Sequence, residues 1–246
     1  MSREPREWPS GVEGVVGDLS DAAARAVDGV EGVFLLSGYE GTSQLLTSLQ
    51  AAGGRRVVLL SSSSAPSGDE ENAVARFHIE AERLVRSSGL EWTIVQPNSF
   101  MSNATRWLPQ LSVGDVVGGP FGTLPIAIVD PADVGAVAAL ALEAPGHAAR
   151  TYRLSGPQSL TPAEQVQILG RVLGRELRFD AWPDDKARVE LAKDMPEPYV
   201  EALFSFFVDG TIDETTVLPT VEQLLGRPPS TFEAWACANA TRFAPG

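Results

Sequence analysis

From residue 12 to about residue 155 the chain alternates short, continuously apolar runs with longer amphipathic stretches. The apolar runs predict strands at residues 12–16, 33–36, 57–60, 93–95, 126–129 and 152–154. Between them the pattern predicts helices over residues 21–27, 43–52, 72–88 and 133–143. Continuous apolar runs, without alternation of apolar and polar positions, are what a strand covered on both faces requires. Strands that alternate with helices then predict a parallel sheet packed between helical layers. After residue 156 helices dominate. One is expected over residues 161–173, where Thr161 and Glu164 have the spacing of a capping box. A short strand follows at 176–179, a helical stretch over 186–207 broken at 195–198, and helices at 221–225 and Phe232–Ala238. The expected architecture is an α/β, Rossmann-like doubly wound parallel sheet over residues 1–156, with a smaller substrate-side lobe over 157–246.

In parallel α/β sheets a ligand sits beyond the carboxyl ends of the strands. Here those ends are Asp18-Leu19, Ser37-Gly38, residues 61–64 (four serines) and residues 97–101. They are small, polar or proline-containing, which lets a ligand approach the backbone closely.

Composition narrows the partners. The formal charge is −13, with 19 basic and 32 acidic side chains and no basic run. A phosphate-backbone binder needs clustered cations, so nucleic acid is not expected as a partner. No apolar stretch approaches the roughly 20 residues that span a bilayer, and the first residues have no apolar signal core. The single cysteine, Cys237, has no partner for an internal disulfide and fits a reducing compartment. A cytoplasmic protein is therefore expected, without a membrane partner. One cysteine and two histidines, with no ligand-type spacing, give no expectation of a metal.

Gly11, Gly14 and Gly17 match G-x-x-G-x-x-G. Phosphate binding by such a motif needs a strand before it and a helix N-terminus after it. Only ten residues precede Gly11, among them Pro5, Trp8 and Pro9, and the glycines fall within an apolar run. The match is read as accidental.

The stretch from Phe77 to Asn103 carries a family resemblance. Its elements are His78 with Glu82, Ser88-Gly89-Leu90, Thr93-Ile-Val-Gln-Pro97 and Phe100-Met-Ser-Asn103. Asp130-Pro-Ala-Asp133, Tyr152-Arg-Leu-Ser-Gly156 and Gly226-Arg-Pro-Pro-Ser-Thr-Phe232 extend it. Together they resemble the NmrA-like, atypical short-chain dehydrogenase/reductase family that includes type-2 NAD(P)H:quinone oxidoreductases. Gln96 stands where that family commonly has arginine.

The resemblance implies a Rossmann fold and an NADP(H) cofactor. It implies that Arg3 meets the 2′-phosphate and that Asp18 and Leu19 flank the adenine. Leu36, Ser37 and Gly38 would form the wall on the adenosine side, with Ser61 and Ser62 beneath the nicotinamide ribose. Pro97, Asn98, Ser99 and Phe100 would line the nicotinamide end. Family members begin with a strand, a glycine-rich turn, a helix and a second strand before the arginine-x-proline element, which here starts at Arg3. The expectation is a truncated chain that lacks this unit and binds NADPH weakly or not at all.

Short-chain dehydrogenases exchange a proton through Tyr-x-x-x-Lys. The tyrosines here are Tyr39, Tyr152 and Tyr199, and the residues four later are Ser43, Gly156 and Leu203. His78 is the remaining catalytic candidate; the competing reading pairs it with Glu82 in surface or helix packing. Two functions are then open. One is NADPH-dependent reduction, by the full-length protein, of a quinone-like small-molecule acceptor. The other is a non-catalytic, dinucleotide-sensing regulator that binds a protein partner.

Overall fold

The computed structural model describes residues 7–8, 10–14 and 27–243. Of the predicted elements, the helix at 21–27, apart from Val27, and the end of the strand at 12–16 lie outside the described residues. So do the candidate ligand residues Arg3, Asp18 and Leu19. Residues 12–14 carry no strand.

Four strands form the main sheet: β1 (Gly32–Leu36), β2 (Arg56–Leu60), β3 (Glu91–Pro97) and β5 (Arg150–Leu154). They lie in the order β1-β2-β3-β5, and every pairing is parallel. Strands β4 (Val116–Gly119) and β6 (Arg178–Ala181) form a separate parallel pair. The helices are α1 (Thr42–Ala51), α2 (Ala73–Arg86), α3 (Leu108–Leu111), α4 (Pro131–Glu143), α5 (Pro162–Leu173), α6 (Asp184–Leu191), α7 (Glu197–Phe207), α8 (Thr220–Leu225) and α9 (Phe232–Ala238).

The apolar strands β2 and β3 are buried on both faces, whereas β1, at the sheet edge among the described residues, buries Leu35 and leaves Phe34 and Leu36 exposed; the two-residue side-chain period sorts the buried positions. Val57, Leu59 and Ile94 point to one side, where they pack with Leu45 and Leu49 of α1 and Ala81 and Val85 of α2. Val58 and Val95 point to the other, against Val134, Val137 and Ala141 of α4 and Val221 of α8. A polar residue at either kind of position would be buried, so the continuous apolar run follows from this layering.

The helix starts are set by side chains. Asn72 accepts from the Val74 and Ala75 amides at the head of α2, and Asp130 accepts from the Ala132 amide at the head of α4. Thr161 and Glu164 form the expected capping box on α5. The broken helix of the C-terminal part is two helices, α6 and α7.

A further core belongs to that part. Phe232 and Trp235 of α9 pack with Val166 and Leu169 of α5. Met101, Trp107, Leu111 and Val117, which precede residue 156, complete this core.

One predicted strand is corrected. Residues 126–129 make two isolated bridges and no continuous ladder: Val129 bridges Phe100, and Ile126 bridges Leu160. Their amides explain it. Ile126 N donates to Leu160 O, Ala127 N to Glu214 O and Val129 N to Ser99 O. With the donors committed to three different segments, no single neighbouring strand can pair with the run. Among the described residues no helix is long and apolar enough to cross a membrane.

Candidate active site

The carboxyl ends of β1, β2 and β3 open into a cleft of about 260 Å³. Its lining is Leu36 and Ser37 at the end of β1, Leu60, Ser61 and Ser62 at the end of β2, and Pro97, Asn98, Ser99 and Phe100 at the end of β3. His78 of α2 and Glu214 complete it. Thus nine of the predicted ligand residues and the catalytic candidate come from separate elements, and all but Gly38 among them line one space. Gly38 does not line the cleft. It sits beside it with φ of 85°, and a β-carbon there would fall 1.6 Å from Phe77 Cε2. Both facts require glycine at this bend.

The sheet ladder runs on past the strands and fixes these positions. Ser37 Oγ donates to Leu60 O at 2.8 Å, and Ser61 N donates to Val95 O at 2.8 Å. Ser63 N donates to Pro97 O at 3.0 Å, and Asn98 N to Leu154 O at 2.8 Å. Asn98 Nδ2 then reaches Ala127 O and Glu214 O. Below Ser61 lies a buried polar cluster. Glu82 Oε1 accepts from Ser61 Oγ at 2.5 Å and from Gln96 Nε2 at 2.8 Å, while Oε2 accepts from Arg86 at 3.1 Å. Gln96, the departure from the family pattern, therefore serves as a neutral donor to Glu82.

His78 makes no hydrogen bond to Glu82. Its Nδ1 is buried without a partner, and its ring stands edge-on to Phe77 with centroids 4.6 Å apart. Burial pushes the imidazole down to about 4, against the opposing pull of the Glu82 charge. It is therefore neutral at physiological pH. Because the folded value lies below the ordinary one of about 6.5, His78 favours the fold above that pH. The contribution is lost as pH falls from there toward 4. Chemical denaturation across this range should show wild type losing stability on acidification, and His78→Ala should lose less. Equal slopes for the two proteins would contradict the buried, neutral assignment.

Glu214 is the residue that sequence reasoning missed. It lies in the segment 209–219 between α7 and α8, where an acidic residue reads as ordinary loop polarity. The structure makes that segment a strap. Arg153 Nη2 donates to Asp213 O at 2.7 Å, Ala127 N to Glu214 O at 2.7 Å and Leu218 N to Ser155 Oγ at 2.8 Å. Asp213 turns the chain by accepting from Thr215 and Thr216. These bonds to its own loop hold its carboxyl well below the usual range. The Glu214 side chain, 6% exposed, is thereby driven into the cleft. Oε1 accepts from Ser63 Oγ at 2.5 Å and Ser99 N at 3.1 Å, and Oε2 lies 2.6 Å from Ser99 Oγ. Burial raises its pKa, outweighing the hydrogen bonds from Ser63 and Ser99 and the charge of Arg153.

The sequence matches the NAD(P)H-binding family profile over residues 2–145, more than half the chain. The chain belongs to the NAD(P)H-binding family.

This NAD(P)H-binding protein is 41% identical over 242 residues to the (4-alkanoyl-5-oxo-2,5-dihydrofuran-3-yl)methyl phosphate reductase of Streptomyces griseus. That match covers 96% of this chain and 86% of the relative. It is 30% identical to the NAD(P)H azoreductase of Xenophilus azovorans, covering 95% of this chain and 84% of that one. In fold it is similar to the Escherichia coli NADPH-dependent quinone oxidoreductase solved with NADPH. The TM-score is 0.73 at 22% identity, over 91% of this chain and 82% of that one.

The cleft fits one end of a dinucleotide. Two polar atoms of lining residues, His78 Nδ1 and Asn98 Oδ1, are buried without a protein partner. Buried polar groups are otherwise nearly always paired, so these two suit hydrogen bonding to a polar ring system. Small serines leave room for it. No lysine or arginine is among the lining residues, so the cleft suits the nicotinamide end and not the phosphates. Among the described residues no cluster of metal-ligating side chains is found.

Proposed function

We propose that this chain is an NAD(P)H-dependent reductase of a small, electron-poor conjugated carbonyl compound, quinone-like in its chemistry. The observation that carries the reading is the cleft: strand ends that fit a nicotinamide, walled by a neutral histidine and a buried acid. The relationship to reductases supports it. An oxo-dihydrofuran, like a quinone, holds a C=C bond conjugated to a carbonyl, and such a carbon accepts hydride. Bound NAD(P)H would supply the hydride. In this proposal Ser61, Ser62 and residues 97–100 hold the nicotinamide end, and Leu36, Ser37 and Gly38 form the wall toward the adenosine. Pro97 and Phe100 exclude water from the ring, and His78 remains neutral so that no cation competes there.

The test is to follow NADPH and NADH oxidation with benzoquinone and with a 2,5-dihydrofuran-5-one. Turnover with either acceptor supports the reading. NADPH binding with no turnover on any conjugated carbonyl would favour the regulator instead. His78→Ala is expected to lower turnover less than tenfold, since no hydrogen bond connects His78 to a proton source. Steady-state kinetics checks this, and a larger loss would make His78 a chemical participant.

A further inference from the structure

Hydride transfer to a conjugated carbonyl leaves negative charge on its oxygen, which needs a proton. The usual tyrosine is not available: among the described residues no tyrosine or lysine lines the cleft. We propose that Glu214 is the proton source of this site and works through the Ser99 hydroxyl. The proposal rests on the reductase reading and adds to it the residues that complete the chemistry.

The geometry gives the hydroxyl two states. If Glu214 is a carboxylate, Ser99 O–H points at Oε2, 2.6 Å away, and is occupied. If Oε2 carries a proton, the bond reverses: Oε2–H donates to Ser99 Oγ, and the serine proton is free to turn into the cleft. Oε1 accepts from Ser63 Oγ and Ser99 N in both states, which holds the carboxyl plane fixed. The backbone anchors of the strap hold the residue at this depth, since Ala127 N and Asn98 Nδ2 both bond Glu214 O. Protonation is favoured because desolvation disfavours the charged form. The charged or titratable groups around the carboxyl are Arg153 on β5, which opposes this effect, Asp213 beside it on the strap, and His78 on the cleft wall.

Hydride from the reduced dinucleotide forms a C–H bond at the electron-poor carbon. The acceptor's π electrons move onto its carbonyl oxygen. The Ser99 O–H bond breaks, and its proton bonds that oxygen. The Oε2–H proton passes to Ser99 Oγ. The acceptor has gained two electrons and two hydrogens, and Glu214 is left as a carboxylate that regains its proton from water after product leaves. Ser99 meets the substrate, and Glu214 is the positioning residue that sets and refills its proton.

Two variants test this, E214Q and S99A, with the full chain. Glutamine is nearly isosteric and preserves the acceptor to Ser63, but it has no acidic proton. Both variants are expected to lose about 100-fold or more in kcat, the usual scale of general acid catalysis, and E214Q is expected to do so with NADPH affinity by fluorescence unchanged. Wild-type kcat should fall as pH rises through the raised Glu214 value, and E214Q should be flat there. Independently of turnover, infrared spectra of ligand-free protein at about pH 6, above the ordinary glutamate value of about 4.3, should show a protonated carboxyl band that E214Q lacks. If wild type is active and E214Q keeps kcat and its pH profile, or the band is missing, the relay is wrong and the reductase reading survives. If wild type reduces no conjugated carbonyl, the reductase reading fails and takes the relay with it.

Discussion

Phe232→Ala should lower the unfolding free energy by about 3–5 kcal/mol, the range for truncating a buried aromatic side chain. Phe232 is 1% exposed and opens α9. Its ring stacks on Trp235, with centroids 5.5 Å apart and planes 19° from parallel. Phe232 belongs to the core that α9, α5 and the Met101–Trp107 turn build together, so the cavity would open where three segments meet. Such a site collapses poorly, because no single element can move in without dragging the others. Urea unfolding measures the loss, and a value near 1 kcal/mol would mean that this core is loosely packed. Phe100, which lines the cleft, directly precedes the Met101 segment, so the cleft wall at residues 97–100 should loosen along with this core.

Glu82→Ala is expected to destabilise by roughly 3 kcal/mol and to disturb the cleft as well. The carboxylate is 8% exposed and accepts from Ser61, Gln96 and Arg86. Removing it leaves the Ser61 hydroxyl and the Gln96 amide buried without an acceptor, at about 1–3 kcal/mol each. Arg86 is largely solvated and also meets Thr151 and the Trp92 ring, so its share is small. The effect on the cleft is indirect: Ser61, one of its lining residues, loses the bond that fixes its hydroxyl. Equilibrium unfolding together with NADPH titration checks both parts. A variant as stable as wild type would show that the cluster is no more than tolerated. Glu82→Gln, which keeps an acceptor for Ser61 or Gln96, should lie between the two.

Much of the fold was legible because its burial pattern is simple. Residues 56–60, Arg-Val-Val-Leu-Leu, admit no reading but a strand covered on both sides. Thr161-Pro-Ala-Glu164 writes a helix start into four residues. The crevice was legible from the small and polar strand ends, since the sheet brings those ends together whatever lies between them. Other parts depend on distant sequence. Strand β4 is only Val-Val-Gly-Gly, and it becomes a strand by pairing with β6 some sixty residues later. Residues 126–129 have the composition of a strand, but their amides are taken by Leu160, Glu214 and Ser99. Glu214 itself carries no local signal. Its burial is decided by Arg153 of β5, Ser155 just after it and Ala127, and nothing near residue 214 shows that the loop will be drawn inward.

The strap also sets an order of assembly. The hydrogen bond from Ser63 to Glu214 joins residues 151 apart in the chain. During synthesis β1, β2, β3 and β5 are all made once Leu154 has emerged, and Glu214 follows 60 residues later. At about 5–20 residues per second that is an interval of roughly 3–12 s. Throughout it the crevice lacks the wall that Glu214 supplies. Under the proposed relay, reduction would thus be tied to completion of the polypeptide: a chain released before residue 214 would lack the proton source.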